Sequence, residues 1–430
     1  MTLAVDLREW ETRPLPPVTL SSADVRALER LDRAAQLSVT RDLQGRLIAR
    51  STSYVGRIRV GPLRIAIHPK IAVDCLQTLM ACALSPRNLA LFDPTTAPLE
   101  SAVFIDLLGW LLVREVDEIV AAGLFGDYDA QEDWLSAPRG RLLVTRLATR
   151  GPRASVQLPC RHLPRRHDHP LNRLMLACVS EMRTVVQNPA LGFELHARAL
   201  TLGDHVASTP LTADLLRAAV VRLDRRNRYY EGIVRIAELL LTARTTAHAN
   251  GPDEAEIIGH LFDMNLLFER FVARLCTDFA PAGLTVQTQE TLPSAYTYSA
   301  NPHGWRVPRL RPDIVVRRAN VPVAVIDTKY KSLAGVRPSP EDIYQTTIYA
   351  MAFGPRPVPV SIVYPGLHEE STVPGLTFTG LAGGAARARV HMVAICLPRC
   401  TAMVRNGDHR ALRVLVSNLL KEPALGEATA

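Results

Sequence analysis

Two aspartates and a lysine at the ends of two short apolar segments could together bind a metal ion. Asp313 follows Pro312 and precedes three β-branched residues. Asp327 and Lys329 close the apolar run that begins at Val323. Residues two apart on a strand share a face, so Asp327 and Lys329 would lie side by side. Carboxylates bind hard cations such as Mg²⁺, and a lysine beside them can stabilise charge on a phosphate. The spacing therefore predicts metal-dependent hydrolysis of a phosphodiester.

Each of these residues also has a plain structural explanation. Asp313 alone suits a surface turn, and Asp327 with Lys329 suits an ion pair at a strand end. An unpaired charge after an apolar strand is costly to bury, however, which favours a function for Asp327. The three residues in this order favour a nuclease site.

Glu269 is a candidate third metal ligand. It borders the apolar face of a helix predicted over residues 256–279, so its carboxylate could face the metal site. The alternative is a surface acid that pairs with Arg270 or Arg274. Both interpretations agree with the sequence.

Gln345 lies on a helix that should follow the strand ending near Lys329. Ser339 followed by Pro340 and two acids is typical of a helix N-terminus, because serine caps free amides and acids favour the positive end of the helix dipole. From this helix Gln345 could orient a water or contact a phosphate. Ordinary packing against the sheet is the alternative.

The chain is basic, and most of its basic residues are arginines. It has 430 residues with 50 Lys and Arg against 42 Asp and Glu, a formal net charge of +8 and a pI near 9.3. Two basic clusters lie between residues 140 and 173 and between residues 222 and 228. A solvated basic face is one explanation, but contact with the DNA backbone is the better hypothesis beside a nuclease site. The arginines predicted to contact DNA are Arg141, Arg146, Arg161, Arg165, Arg166, Arg225 and Arg226.

Composition favours a globular cytoplasmic protein. Hydrophobic residues make up 47% of the chain and charged residues 21%. The seven cysteines are scattered and odd in number, which favours a reducing cytoplasm over a disulfide scaffold. We see no signal peptide and no apolar stretch of about 18 residues, so we expect no membrane partner.

Other metal or nucleotide sites find little support. Cys160, His162, His167 and His169 lie close in sequence, but their spacing matches no structural zinc pattern. The chain has no Gly-x₄-Gly-Lys-Ser/Thr phosphate loop, so we expect it to bind no nucleotide itself. If nucleotide hydrolysis drives its activity, a partner must supply the motor.

The apolar pattern predicts an α/β chain, α+β overall, in three consecutive parts. Residues 1–160 would form a mixed β/α N-terminal region with a hairpin around Gly61. Residues 161–250 would form a helical middle region with basic clusters, and the clearest linker ends near residue 253. Residues 251–430 would form a mixed sheet flanked by helices, with the candidate site at its strand ends.

The C-terminal half resembles the McrC family, the nuclease subunits of McrBC modification-dependent restriction systems. The matching segments are residues 267–272, 310–315, 326–331 and 342–350. Shorter matches lie upstream, at residues 65–71, 140–142, 170–173 and 226–229. The resemblance spans most of the chain, and it is strongest over residues 256–353 and loosest over residues 1–130.

This resemblance implies a restriction-endonuclease fold of the Pro-Asp…(Asp/Glu)-x-Lys type that cuts DNA with Mg²⁺, with Mn²⁺ as an alternative. By analogy Asp313 and Asp327 bind the metal, Lys329 assists the attacking water, and Glu269 and Gln345 support them. The resemblance also implies a partner, a McrB-like AAA+ GTPase ring whose reader domain recognises methylated cytosine. The N-terminal region would then bind that ring.

The favoured hypothesis is a Mg²⁺-dependent endodeoxyribonuclease subunit of a prokaryotic defence complex. A non-catalytic activator of an AAA+ NTPase is one alternative, but it would not need all of Asp313, Asp327 and Lys329. A stand-alone DNA repair nuclease is the other, and it would cut DNA without a motor partner.

Overall fold

The fold is mixed α/β, as predicted, with helices packed on several sheets. A computed structural model describes residues 2–84, 104–149, 157–244, 257–292, 295–307, 309–331, 338–353, 357–366, 375–379 and 387–420. The chain divides into two compact units. One unit joins Met1–Phe104 to Ala243–Ala430, and the other is Ile105–Thr242.

This grouping by contact differs from the three consecutive parts expected from the sequence. The first unit combines the N-terminal and C-terminal stretches of the chain, and the second unit is the stretch between them. The expected boundary at residue 160 lies inside the strand Leu158–His162, and the boundary at residue 250 lies outside the described residues. The roles assigned to the three parts stay predictions.

The N-terminal part of the first unit contains two small sheets. Strands β2, β4 and β3 form an antiparallel sheet, while β1, β6 and β5 belong to a second sheet in which β5 and β6 form the predicted hairpin. Buried leucines, valines and isoleucines fill the space between these sheets and the first helix. The elements are β1 (Leu3–Arg8), β2 (Thr12–Pro14), α1 (Ser22–Arg33), β3 (Leu37–Arg41), β4 (Leu47–Ser51), β5 (Tyr54–Val60), β6 (Leu63–His68) and α2 (Val73–Leu84).

The second unit combines helices with short strands. In its described residues β8, β10 and β9 form one sheet, and β11 pairs with β7. Helices α5 and α6 each begin with a proline, after His169 and Asn188, whose side chains accept hydrogen bonds from backbone amides of the first turn. The elements are α3 (Phe104–Ala122), β7 (Asp127–Tyr128), β8 (Gln131–Leu135), β9 (Arg141–Leu142), α4 (Val144–Ala148), β10 (Leu158–His162), β11 (Arg165–Arg166), α5 (Pro170–Val185), α6 (Pro189–Gly203), α7 (Ala213–Val221) and α8 (Glu231–Ala243).

The C-terminal part of the first unit contains a six-stranded mixed sheet. Its strand order is β13-β14-β15-β16-β18-β17, in which β15, β16 and β18 run parallel and the other pairs are antiparallel. Helix α10 packs on this sheet through Tyr349 and Ala350, against Val325 and Val360. The elements are β12 (Ile257–Asp263), α9 (Met264–Phe279), β13 (Leu284–Thr288), β14 (Ile314–Arg318), β15 (Val321–Thr328), α10 (Pro340–Ala352), β16 (Val360–Gly366), β17 (Leu376–Phe378), β18 (Ala388–Cys396), α11 (Leu397–Arg405) and α12 (His409–Leu420).

The helix predicted over residues 256–279 is wrong at its beginning. Ile257–Asp263 is strand β12, which pairs antiparallel with β5 of the N-terminal part. Helix α9 begins only at Met264, where the Asp263 side chain accepts a hydrogen bond from the backbone N of Asn265 at 2.9 Å. A short apolar run does not reveal by itself whether it forms a strand or a helix. Here the run forms a strand because it pairs with β5, which is distant in sequence. Glu269 remains on a helix.

Gly56 and Gly259 allow the backbones of β5 and β12 to approach each other. Gly56 has a φ of 137°, and a Cβ atom on it would lie 2.2 Å from the carbonyl oxygen of His260.

We expect Gly56→Ala to lower the free energy of unfolding by about 1–3 kcal/mol, because the strands must separate. Urea unfolding midpoints measure this change. The control is Gly192→Ala on α6, where the added Cβ would meet nothing within 4 Å beyond its chain neighbours and the backbone of its own helix, and it should be neutral or mildly stabilising. Equal losses in both variants would contradict the prediction.

Candidate active site

The predicted aspartates meet at the ends of two antiparallel strands. Ile314 at the start of β14 pairs with Ile326 near the end of β15, so the next step in this register sets Asp313 opposite Asp327. The Oδ2 atom of Asp313 accepts hydrogen bonds from the backbone N of Thr328 at 2.7 Å and from its hydroxyl at 2.8 Å. These two bonds fix the Asp313 carboxylate beside the end of β15.

The strands that carry the site are anchored in the core. Ile314, Val315 and Val316 of β14 and Val325 and Ile326 of β15 are fully buried. Burial of each such side chain contributes about 1.5–3 kcal/mol. The carboxylates therefore project from rigid elements rather than from mobile loops.

Asp327 is a buried carboxylate whose Oδ2 atom faces the ammonium group of Lys329. Its side chain is 1% exposed, and Oδ2 has no hydrogen-bond partner among the described residues. Lys329 Nζ lies 2.9 Å from this oxygen and forms an ion pair with it. Burial raises the pKa of Asp327 to about 6; Lys329 opposes the rise and the charge of Asp313 adds to it. Such an oxygen suits a metal ligand, since buried polar atoms normally have partners.

Lys329 stands between acidic and amide side chains. Besides Asp327, its Nζ atom donates to Oε1 of Gln345 at 3.2 Å and lies 3.7 Å from Oδ1 of Asp342. Burial lowers the pKa of Lys329, but the neighbouring carboxylates, Asp327 first, outweigh burial, so the pKa lies above its ordinary value. The ammonium group therefore remains charged at neutral pH.

Asp342 belongs to this network, although the sequence indicated only a helix-capping role for it. Lys331 Nζ lies 2.5 Å from its Oδ2 atom, and the Ser339 backbone N donates to the same oxygen at 3.1 Å. Burial raises the pKa of Asp342, but the hydrogen bonds from Lys331 and Ser339 outweigh it and lower the pKa. Its position as the third residue of a capped helix gave no sign that Lys329 would lie nearby.

Glu269 lies on α9 at the edge of the site. Its Oε1 atom accepts a hydrogen bond from Nε2 of Gln289 at 2.6 Å. Burial raises the pKa of Glu269 to about 7, and the charge of Asp313 adds to the rise. Gln289 has a φ of 50°, in the left-handed region, and its backbone N donates to the carbonyl oxygen of Asp313 at 2.8 Å. Left-handed backbone at a non-glycine residue is strained and is common at functional sites. No pattern in the sequence points to Gln289.

The donor atoms suit Mg²⁺ bound partly by water. Nowhere in the described residues do three His, Cys, Asp or Glu side chains approach closely enough to hold a metal ion by themselves. Mg²⁺ commonly takes one or two carboxylates from a protein and completes its shell with water and substrate phosphates, and Mn²⁺ accepts the same oxygen ligands. Asp313 and Asp327 supply such a pair.

The sequence of the chain matches a known family over most of its length. A family model described as McrBC 5-methylcytosine restriction system component matches residues 49–365. The chain belongs to the McrBC family. The matched span contains Glu269, Asp313, Asp327, Lys329 and Gln345.

Solved structures that are similar to this chain come from McrBC assemblies. A chain in the half-complex from a tetradecameric assembly of Thermococcus gammatolerans McrB AAA+ hexamers with bound McrC superposes with a TM-score of 0.58 and 17% identity, covering 96% of this chain and 100% of that chain. A chain of the Thermococcus gammatolerans McrBC complex gives a TM-score of 0.44 and 17% identity, over 64% of this chain and 87% of that chain. Among curated proteins, no sequence matches. In the described part of this McrBC family member, no helix is both long and apolar enough to cross a membrane.

The seven arginines predicted to contact DNA are all exposed and all belong to the Ile105–Thr242 unit. Two of them have acidic partners: Arg146 pairs with Glu132 at 2.8 Å and Arg226 with Asp224 at 2.9 Å. Exposed pairs of this kind are weak, so both arginines could exchange their partner for a phosphate. Their contact with DNA stays a prediction.

The Cys160–His169 segment takes part in the fold. Cys160 is buried, and His162 Nε2 lies 2.8 Å from Oδ2 of Asp133. Nδ1 of His169 accepts a hydrogen bond from the backbone N of Leu171 at 3.2 Å and so caps α5. These contacts give His162 and His169 a structural role.

Glu9 forms a buried cluster with Lys70 and Tyr330, the residue that follows Lys329. Oε2 of Glu9 accepts hydrogen bonds from the Lys70 backbone N at 2.8 Å and from the Tyr330 hydroxyl at 3.3 Å. Burial raises the pKa of Glu9 to about 7, and the contacts with Lys70 oppose the rise. The cluster ties the N-terminal part of the unit to the strand end that carries Lys329.

Glu9→Gln should change how stability depends on pH. The folded-state pKa of about 7 lies above the ordinary 4.5, so the folded protein binds this proton more tightly than the unfolded chain. The stabilisation is complete below pH 4.5 and is lost as the pH rises to 7, by up to about 3 kcal/mol. Glutamine mimics the protonated form, so the variant should lose less stability than the wild type between about pH 5 and pH 8. Urea midpoints of both proteins over this range provide the test, and parallel curves would speak against it.

Proposed function

We propose that this McrBC family chain is the nuclease subunit of its restriction complex and hydrolyses DNA phosphodiester bonds with Mg²⁺. The observation that supports this proposal is the meeting of Asp313, Asp327 and Lys329 at the ends of β14 and β15. A charged lysine beside two carboxylates, one of them buried, is an arrangement suited to phosphodiester hydrolysis.

Asp313 and Asp327 would hold Mg²⁺, which supplies a Lewis acid that lowers the pKa of a bound water and neutralises charge on the phosphate. Lys329 keeps its proton, so its Nζ atom can donate to the attacking water or to a phosphate oxygen. Gln345 holds that ammonium group at 3.2 Å and thereby orients it. Glu269 would be the supporting acid beside Asp313, oriented by its bond to Gln289.

We also propose that an AAA+ GTPase ring drives cleavage and that the DNA is methylated. The fold shared with a chain of the Thermococcus gammatolerans assembly, in which McrB AAA+ hexamers carry bound McrC, supports this proposal, as does the family description. The chain has no phosphate loop of its own, so the ring would bind the GTP. All seven cysteines are free thiols, which suits the cytoplasm as the compartment.

The exposed arginines of the Ile105–Thr242 unit would bind the DNA through its phosphates. Such contacts release counterions, so DNA affinity should fall steeply as salt rises. An affinity that is insensitive to salt would contradict a role for these arginines.

The experiment compares cleavage of methylated and unmethylated plasmid with Mg²⁺, using this chain alone and with its AAA+ partner and GTP. Cleavage of methylated plasmid only in the full mixture is the expected result. Cleavage by this chain alone would favour a stand-alone nuclease. No cleavage in any mixture, with GTP hydrolysis by the partner stimulated, would favour a non-catalytic activator.

A further inference from the structure

A hairpin extension that leads into Asp313 of the candidate active site carries an exposed aromatic group. Residues 289–313 connect β13 to β14, and the backbone N of Leu292 donates to the carbonyl oxygen of Leu310 at 2.9 Å. The arm after Leu310 leads directly to Asp313. Residues 295–307, which we call the aromatic loop, lie beyond this pair of leucines.

The aromatic loop exposes several rings. Trp305 is 62% exposed, Tyr298 41% and Tyr296 38%. The ring of His303 stacks on Trp305 with centroids 5.1 Å apart at 27°, and the ring of Tyr298 meets Trp305 edge-on at 6.2 Å. A folded protein gains nothing by exposing a grouped set of aromatic rings, so such a set indicates a binding surface.

A defined turn presents Trp305. Oδ1 of Asn301 accepts a hydrogen bond from the Trp305 backbone N at 2.8 Å, and Nδ2 of Asn301 donates to the Trp305 carbonyl oxygen at 2.7 Å. Gly304, with a φ of 63°, takes the left-handed position of this turn, and its backbone N donates to the Asn301 carbonyl oxygen at 3.2 Å. The ring is thus held outward before any ligand binds, which lowers the entropy lost on binding.

The positive charge around the rings indicates which class of ligand they bind. Between residues 291 and 312 the sequence has no Asp or Glu, and it has Arg306, Arg309 and Arg311, which are all exposed. Aromatic rings interleaved with arginines are the pattern that binds single-stranded nucleic acid, where bases stack on the rings and arginines contact phosphates. A protein partner with an apolar patch would not need this run of positive charge.

We propose that the aromatic loop stacks on an unpaired base of the DNA next to the cleavage site, with Trp305 as the stacking residue. This inference rests on the proposed nuclease function. At about 3.3 Å per residue, the chain from Trp305 to Asp313 spans at most about 27 Å. The loop would therefore engage DNA within about eight nucleotides of the scissile phosphate.

The test measures the affinity of the full chain for fluorescent oligothymidine and for a duplex of equal length, by anisotropy in metal-free buffer. Trp305→Ala should lower the affinity for the single strand by about 5–150-fold, the equivalent of one base–aromatic stack, and should change the duplex affinity much less. Trp10→Ala, which removes another exposed tryptophan outside the loop, is the matched control and should leave both affinities unchanged. Asn301→Ala tests the positioning of the Trp305 ring. It should lower the affinity for the single strand less than Trp305→Ala does, and it should likewise affect the single strand more than the duplex.

Equal single-strand affinities of the wild type and Trp305→Ala would overturn the inference, and so would a wild type that does not bind the single strand. Cleavage of plasmid by the complete mixture distinguishes these failures from failure of the nuclease proposal. If the wild type still cuts, only the role of the aromatic loop is wrong.

Discussion

Asp327→Ala should lower the rate of DNA cleavage by at least about 10³-fold in the complete mixture with the AAA+ partner, GTP and Mg²⁺. Asp327 supplies a buried carboxylate whose Oδ2 atom has no hydrogen-bond partner in the described part of the chain. Without this carboxylate the proposed metal site keeps only Asp313 and the more distant Glu269. Initial rates of plasmid linearisation measure the loss.

The same variant should keep its fold and its effect on the partner. Lys329, the ion-pair partner of Asp327, keeps Gln345 and Asp342 as neighbours, so its charge is not left without a counter-charge. Asp327→Asn is the second variant, because it preserves side-chain volume if alanine leaves a cavity. Asp278→Asn, which breaks an ion pair with Arg274 on α9, is the control and should cut normally. Normal cutting by both Asp327 variants would refute the site.

Lys329→Ala should reduce cleavage by about 10²–10³-fold, the usual loss when one electrostatic donor to a transition state is removed. Its Nζ atom is the positive group next to Asp327, and the surrounding acids keep it charged. A second effect is expected on stability. The variant leaves Asp327 buried without its counter-charge, which should lower the free energy of unfolding by about 1–3 kcal/mol at neutral pH.

Lys329→Arg separates these two effects. Arginine keeps the charge but presents a planar guanidinium group in place of a compact ammonium group. The free energy of unfolding should therefore return towards the wild-type value, while most of the cleavage activity should remain lost. Lys331→Ala is the matched control on the same chain segment, because Lys331 pairs with Asp342 at 2.5 Å rather than with Asp327. Losses of equal size in Lys331→Ala and Lys329→Ala would mean that general charge, and not the position of Lys329, matters.

The sequence was sufficient to place the central acids because the pattern is local. Asp313 and Asp327 each adjoin an apolar strand, and two short strands in succession are expected to pair antiparallel, which brings their adjoining ends together. The N-cap at Ser339 is also a local feature, and it indicated where the helix that carries Gln345 begins. These features depend on residues close in sequence.

Features that depend on distant partners could not be predicted in this way. Strand β12 was predicted as part of a helix, since its partner β5 lies in the N-terminal part of the chain. The contact of Glu9 with Tyr330 and that of Gln289 with Glu269 join segments with no shared pattern. The division into units by contact likewise arises from pairings between the two ends of the chain. Periodicity reports which face of an element is buried but not which element covers it.

The most direct test of the account is the Mg²⁺ dependence of cleavage, measured side by side for the wild type and Asp313→Asn in the complete mixture. If Asp313 and Asp327 hold the metal, the variant should need at least about tenfold more Mg²⁺ to reach half of its maximal rate, the usual scale for loss of a group that supports a metal site. An unchanged Mg²⁺ midpoint together with an unchanged maximal rate would show that this pair of carboxylates does not bind the catalytic metal.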